Sequence, residues 1–292
     1  MESSNGSGTN STRPQLGLVI GSGGMKGVAV IGLMRVLERE GIEVNMTVGC
    51  SAGSLYAAAI ALGWDAKTLE ARTMWDGLFK AKNYRALVRA MLPRFFPFDE
   101  EFALVDDRRV NEVMRELFGE TTFADTRIPL FLVASDLRTG ERAVLSEGKI
   151  SDAVRASIAI PLLLRPWRVN GRLLIDGGTT DPLPIDVAIR EDCETILAMG
   201  FVGELAPRIS SLLGLVDQTG GIVVRSLLKS TFAFYNLAHD SEIIPLMVTF
   251  DRPVGLGDTH LIPYIIEQGE KAAEEQLPYL KQVLGLTTAS RS

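Results

Sequence analysis

Histidine is almost missing from this chain: His239 and His260 are the only two in 292 residues. They stand apart from other ligand-type residues, so no metal centre is expected. Cysteine is equally scarce. Cys50 lies in a Ser-containing motif and Cys193 in a strand pattern, which argues against a disulfide framework and fits a reducing compartment. No run reaches the roughly 18 apolar residues that a spanning helix needs. The longest, around 16–34, is interrupted by a glycine cluster and Lys26. Residues 1–13, MESSNGSGTNSTR, lack the apolar core of a secretory signal and read as a flexible polar tail, as do residues 287–292. An excess of positive charge is missing too: the net charge of −6 counts against a nucleic-acid-binding surface. Nor is there an Asp/Asn-rich loop of the EF-hand type. These absences lead to the expectation of a cytoplasmic chain without metal, cofactor or nucleic-acid partner, peripheral to the inner face of a membrane if it meets one.

What is present suits a globular protein. The chain is 46% hydrophobic and 23% charged, enough for a continuous core under a soluble surface. Strand and helix patterns alternate. Residues 16–20, 44–48, 128–137, 142–148, 172–176 and 195–201 read as strands, with a further one at 246–250. Helical patterns cover 28–40, 52–62, 152–161, 181–192 and 261–284, and 65–118 holds helical segments without a convincing strand. Such alternation predicts an α/β fold with a mainly parallel sheet covered on both faces. With no repeat, low-complexity block or linker, residues 14–286 read as a single domain.

Three stretches could carry chemistry. The first is Gly-Cys-Ser-Ala-Gly, 49–53, between a strand and an Ala/Leu-rich helix. Gly-x-Ser-x-Gly in that setting can hold a nucleophilic serine on a sharp turn; equally, Ser51 could simply cap the helix. The second, GSGGMKG (21–27), follows the first strand. Its glycine spacing and the position of Lys26 fit neither a dinucleotide fingerprint nor a phosphate-binding P-loop. An amide-lined turn suited to an oxyanion remains, beside the plain alternative of a tight turn. The third is LLIDGGTTDPLP, in which Asp176 ends a strand before two glycines. It is an ordinary turn residue or the proton acceptor that Ser51 lacks, its carboxylate brought to the same sheet edge. Asp181 and Asp186 fit a helix cap and a helix face.

Together these stretches resemble the patatin-like phospholipase family, which combines a glycine-rich oxyanion loop, a Gly-x-Ser-x-Gly elbow and a downstream Asp-Gly-Gly or Asp-Gly-Ala. VASDLRTGE (133–141), ASIAIPLLLRPWRVNGRLLIDGG (156–178) and the late IIEQGEKAAEEQLPYL are similar to its connecting segments. The likeness spans residues 15 to about 200, and 260–284 more loosely. It implies a three-layer α/β/α fold with Ser51 as nucleophile and Asp176 as its partner in a dyad. It also implies an oxyanion and substrate-binding loop of Gly23, Gly24, Met25 and Lys26. The chain departs at Ser22, where the family often has Gly. Lys26 matches the family's basic position, and no histidine is required. A rival triad would run Ser51, Asp176, then His239 or His260, in the chain order of α/β-hydrolases. That fold places several strands before its nucleophile, however, and here only one precedes the elbow strand.

The resemblance implies acyl ester substrates: phospholipids, lysophospholipids or other lipid esters. A thioesterase or acyltransferase on the same dyad, or a non-catalytic lipid-binding regulator, are the alternatives. LVRAMLPRFFPFDEEF (87–102) and IVVRSLLKSTFAFYNLAHD (222–240) mix basic and apolar residues. Each would serve as a lid or a membrane contact, or pack on the chain's own core; the second would equally serve as a homodimer surface.

Overall fold

The computed structural model describes residues 15–73, 100–202, 204–209, 212–235 and 240–286. The readings made for the polar ends, for 87–99 and for His239 lie outside them. The strands are β1 (Leu16–Ile20), β2 (Met46–Cys50), β3 (Leu130–Asp136), β4 (Arg142–Leu145), β5 (Trp167–Val169), β6 (Arg172–Asp176), β7 (Thr195–Val202) and β8 (Glu242–Thr249). The helices are α1 (Val30–Arg39), α2 (Ala52–Ala61), α3 (Ala66–Ala71), α4 (Arg108–Phe118), α5 (Ile150–Ser157), α6 (Ile185–Arg190), α7 (Leu212–Tyr235) and α8 (Ile262–Val283).

Five strands form a parallel sheet in the order β3-β2-β1-β7-β8. All five residues of β1 are buried, as befits a central parallel strand covered on both sides. Its side chains alternate between two cores. Leu16, Leu18 and Ile20 meet the apolar faces of α1, α2 and α8. Val19 joins Met46, Val48 and Cys50 under Ile185 and Val187 of α6 and Leu228 of α7. The result is a helix–sheet–helix sandwich. Among the described residues no helix is long and apolar enough to cross a membrane.

The antiparallel strands decide where the functional groups meet. Leu132 and Val133 of β3 pair with Gly49 and Cys50 of β2 and also with Leu145 and Val144 of β4. Ala134 and Ser135 pair with β4 and with Asp176 and Ile175 of β6. A strand has two edges, so β4 runs along one while β2 and β6 share the other, head to head. β2 stops at Cys50 opposite Val133; β6 arrives from the opposite direction and stops at Asp176 opposite Ala134.

Asp176 reaches the end of β2 on an antiparallel strand. One expectation is corrected. Asp181 does not open a helix: α6 begins at Ile185, and Pro184 before it caps nothing with a side chain. Instead Asp181 pairs with Arg142, whose guanidinium also takes Asp186 through bonds of 2.5 and 2.7 Å. This cluster ties the segment after Asp176 to β4.

Candidate active site

Ser51 stands between β2 and α2 with φ +54° and ψ −127°, a conformation that costs a side-chain-bearing residue about 1–3 kcal/mol and persists only where the surroundings enforce it. The enforcement is visible. The Ser51 N–H donates to Ser157 Oγ at 2.9 Å, and that hydroxyl donates to the Val133 carbonyl at 2.6 Å. Ser54 Oγ donates to the Ser51 carbonyl at 2.6 Å. At Gly53 a Cβ would sit 2.2 Å from the Ile20 carbonyl oxygen, so only glycine lets α2 start this close to β1. The side chain of Ser51 makes no capping bond, which removes the helix-cap alternative. Its Oγ donates to Asp176 Oδ2 at 2.6 Å, with both residues buried.

Asp176 is held at several atoms. Oδ1 accepts the Gly178 N–H at 2.8 Å, and the backbone N–H donates to the Ala159 carbonyl at 3.0 Å. The Asp176 carbonyl accepts from Thr179 Oγ1 at 2.8 Å and Ser135 Oγ at 3.1 Å. Among the described residues no Lys or Arg pairs with its carboxylate. Burial therefore dominates and pushes its pKa up to about 6, against the downward pull of the bonds from Ser51 and Gly178. The same burial, with Asp176 nearby, drives the Cys50 thiol well above its ordinary value, leaving it an inert core group.

The glycine-rich turn lies alongside. Gly21 N–H is tied to the Met199 carbonyl and Ser22 N–H to the Pro182 carbonyl, at 2.9 and 2.7 Å. A two-turn 3-10 helix then runs over Gly24–Ala29, with Gly24 at φ +55°, where glycine fits without strain. The N–H groups of Gly23, Gly24 and Met25 donate to no carbonyl or side chain among the described residues. The Met25 side chain is spent in the core, so, like Gly23 and Gly24, it offers only its backbone. Ser22, Gly23, Gly24 and Lys26 line the cleft that holds Ser51 and Asp176. His260 is exposed on the turn Thr259–Leu261 and does not line the cleft; Ser51 donates to Asp176 with no imidazole between them. Among the described residues no cluster of His, Cys, Asp or Glu could hold a metal ion.

The cleft measures about 1150 Å³ and its wall is largely apolar, with Ile160, Phe201, Val224, Leu228 and Leu256 along it. Such a shape suits a ligand with a long apolar part. Sequence reading missed Ser157, the hydroxyls that hold the Asp176 backbone, and the role of α7 as a cleft wall. The ASIAIP block contained Ser157, but nothing in its spacing ties it to residue 51. Replacing Ser157 with Ala would leave the buried Ser51 N–H and Val133 carbonyl each without a partner. The expected cost is about 1–3 kcal/mol in denaturant unfolding, together with a lower kcat from a less constrained elbow.

A mainly parallel α/β sheet, with a strained serine between strand and helix beside a glycine turn whose amides find no acceptor among the described residues, has the arrangement of the elbow-type sites used by serine hydrolases. Residues 18–189, more than half of the chain, match the family described as patatin-like phospholipase, and the chain belongs to that family. An uncharacterized NTE family protein of Mycobacterium tuberculosis is 32% identical over 243 residues, covering 82% of this chain and 38% of its own length. A second from the same organism is 30% identical over 196 residues, 67% of this chain and 51% of its own. Lysophospholipase NTE1 of Cryptococcus neoformans is 30% identical over 196 residues, 66% of this chain and 12% of its own. The chain thus spans about half, or less, of the curated relatives it matches. Among solved structures, VipD from Legionella pneumophila aligns with 91% of this chain and 67% of its own, at 16% identity and a TM-score of 0.48.

Proposed function

We propose that this chain hydrolyses the acyl esters of lipids, with Ser51 as nucleophile and Asp176 as its base. The observation that carries the reading is the 2.6 Å bond from Ser51 Oγ to a buried carboxylate without a cation, at the end of an apolar cleft. A carboxylate raised to about 6 is a better match to a hydroxyl proton than one at the ordinary 3.9. Ser51 Oγ attacks the ester carbonyl carbon while its proton passes to Asp176. The tetrahedral oxyanion takes the free amides of Gly23 and Gly24, with Met25 adjacent; each such donor contributes on the order of 10²–10³ in rate. Collapse expels the alcohol, which leaves with the proton from Asp176. Water, deprotonated by Asp176, then attacks acyl-Ser51, and the returned proton restores the serine as the fatty acid departs. Family membership and the lysophospholipase among the relatives favour phospholipid or lysophospholipid esters as the substrates.

Fatty-acid release from lysophosphatidylcholine, phosphatidylcholine, a triglyceride and an acyl-CoA provides the test. Turnover of the oxyesters supports the reading; thioester turnover far above every oxyester overturns it. The pH profile gives a second check. Asp176 must be ionised to accept the proton, so kcat/KM for a soluble ester should fall tenfold per unit below about pH 6 and level off above it.

A further inference from the structure

The cleft mouth carries an unusual concentration of exposed apolar side chains. Leu162 is 58% exposed, Ile209 46%, Leu215 48% and Val223 41%, and all four line the cleft. Ile222, at 51%, adjoins them on α7. Leu162 is also held at φ +67°, a conformation rare for a bulky residue and found where the surroundings impose it. Its carbonyl is pinned by the Leu104 N–H at 2.8 Å. Strain is thus spent on a leucine that faces solvent, where core packing gains little from it.

The charge around this rim is opposite to that of the chain. Arg208, Arg225 and Lys229 line the cleft and are exposed, with Glu204 as the exposed acid beside them, although the chain carries a net charge of −6. Arg225 and Lys229 lie one turn apart on α7. A second copy of the chain docking through the same face would set this positive patch against its own copy. An anionic lipid surface would attract them, while the apolar side chains enter its acyl region. The wall is continuous from this rim to Ser51.

We propose that the cleft mouth docks on an anionic phospholipid bilayer, so that an acyl chain passes from the bilayer to Ser51 along one apolar wall. The purpose of this surface rests on the lipid-ester reading, but its test needs no turnover. The full chain carrying Ser51→Ala would be sedimented with vesicles of phosphatidylcholine alone, or with about one third phosphatidylglycerol. Partition should be at least tenfold stronger on the anionic vesicles and should weaken as salt rises. Adding Arg208→Glu and Lys229→Glu should remove that preference, roughly fivefold or more for each charge lost. Leu215→Asp with Ile222→Asp should lower partition on both vesicles. Arg108→Glu with Arg190→Glu, an equal charge change at exposed sites elsewhere, should leave most of it.

Equal partition on both vesicles, or an undiminished preference in the Arg208/Lys229 variant with its melting temperature unchanged, overturns the proposal. So does a vesicle-free dimer that the Leu215/Ile222 variant dissociates, since the face is then a contact between copies. Anionic-vesicle binding by a chain that hydrolyses no ester would sink the lipid-ester reading and leave the docking surface standing; hydrolysis without that binding would do the reverse.

Discussion

Asp176→Asn should lower ester hydrolysis by about four orders of magnitude while making the protein more stable. The rate falls because an amide cannot take the Ser51 proton. The stability rises because the carboxylate is buried without a cation and ionises at a cost that an amide avoids. Both contacts of the carboxylate have counterparts in the amide. The Asn oxygen can accept the Gly178 N–H, and its NH₂ can donate to Ser51 Oγ, replacing the bonds now made by Oδ1 and Oδ2. The folded carboxyl keeps its proton up to about pH 6, whereas the unfolded chain releases it near 3.9. Ionisation of the unfolded chain alone therefore erodes stability between about pH 4 and pH 6, and above that range the penalty is constant. The variant should gain on the parent through that interval and hold its lead at higher pH. A lead of about 1–3 kcal/mol would raise the melting temperature by roughly 2–5 °C. Calorimetry at pH 4 and pH 8 measures it. A variant that melts below the parent at pH 8 would show that the ionised carboxylate is not a liability.

Ser51→Ala should be the other large loss, on the order of 10⁴–10⁶ in kcat, with no labelling by a fluorophosphonate. Ser51→Gly should be equally inactive, yet the two should differ in stability. Alanine keeps a Cβ at φ +54° and its strain, whereas glycine enters that region freely; the glycine form should be more stable than the alanine form by about 1 kcal/mol. If the two unfold alike, the elbow is not strained as its dihedral angles indicate. Replacing His239 and His260 together should leave the rate near that of the parent, which separates a dyad from a triad.

The parallel half of the fold was legible because its signals are local. β1 appears at residues 16–20 as read, β7 within a residue, and α8 within a residue or two of 261–284. Buried parallel strands are continuous apolar runs, which a sequence displays directly. β2 lies two residues later than its pattern suggested, ending at Cys50, because the strand continues into the glycine that α2 packs against. The short strand β5 escaped notice: three residues around an Asn-Gly turn have no period to detect. The direction of β6 could not be read at all. Asp176 before two glycines looks the same at the end of a parallel or an antiparallel strand; pairing with β3 decides between them. The proximity of Ser51 and Asp176 was legible through the order of three motifs, but Ser157 was not, since its bond to the Ser51 backbone crosses 106 residues. In sequence Asp181 reads as a cap for the helix just after it, whereas its partner Arg142 lies 39 residues upstream.

The meeting of β2 and β6 end to end along β3 has a consequence for how the molecule comes into being. Ser51, just past β2, and Asp176, at the end of β6, are 125 residues apart on strands that do not hydrogen-bond to each other as a ladder; each is positioned by its own register on the shared neighbour. Sliding β6 by one position would carry Asp176 about 3.3 Å along β3 and turn its side chain to the other face. There is accordingly no half-assembled version of this pair. In a nascent or refolding chain that has built β1, β2 and β3, the Ser51 hydroxyl still lacks its carboxylate, and the proposed dyad forms only when a strand encoded far downstream docks. If the proposed ester hydrolysis holds, unfinished copies of the chain should be inactive toward esters, which a refolding time course read by fluorophosphonate labelling would measure.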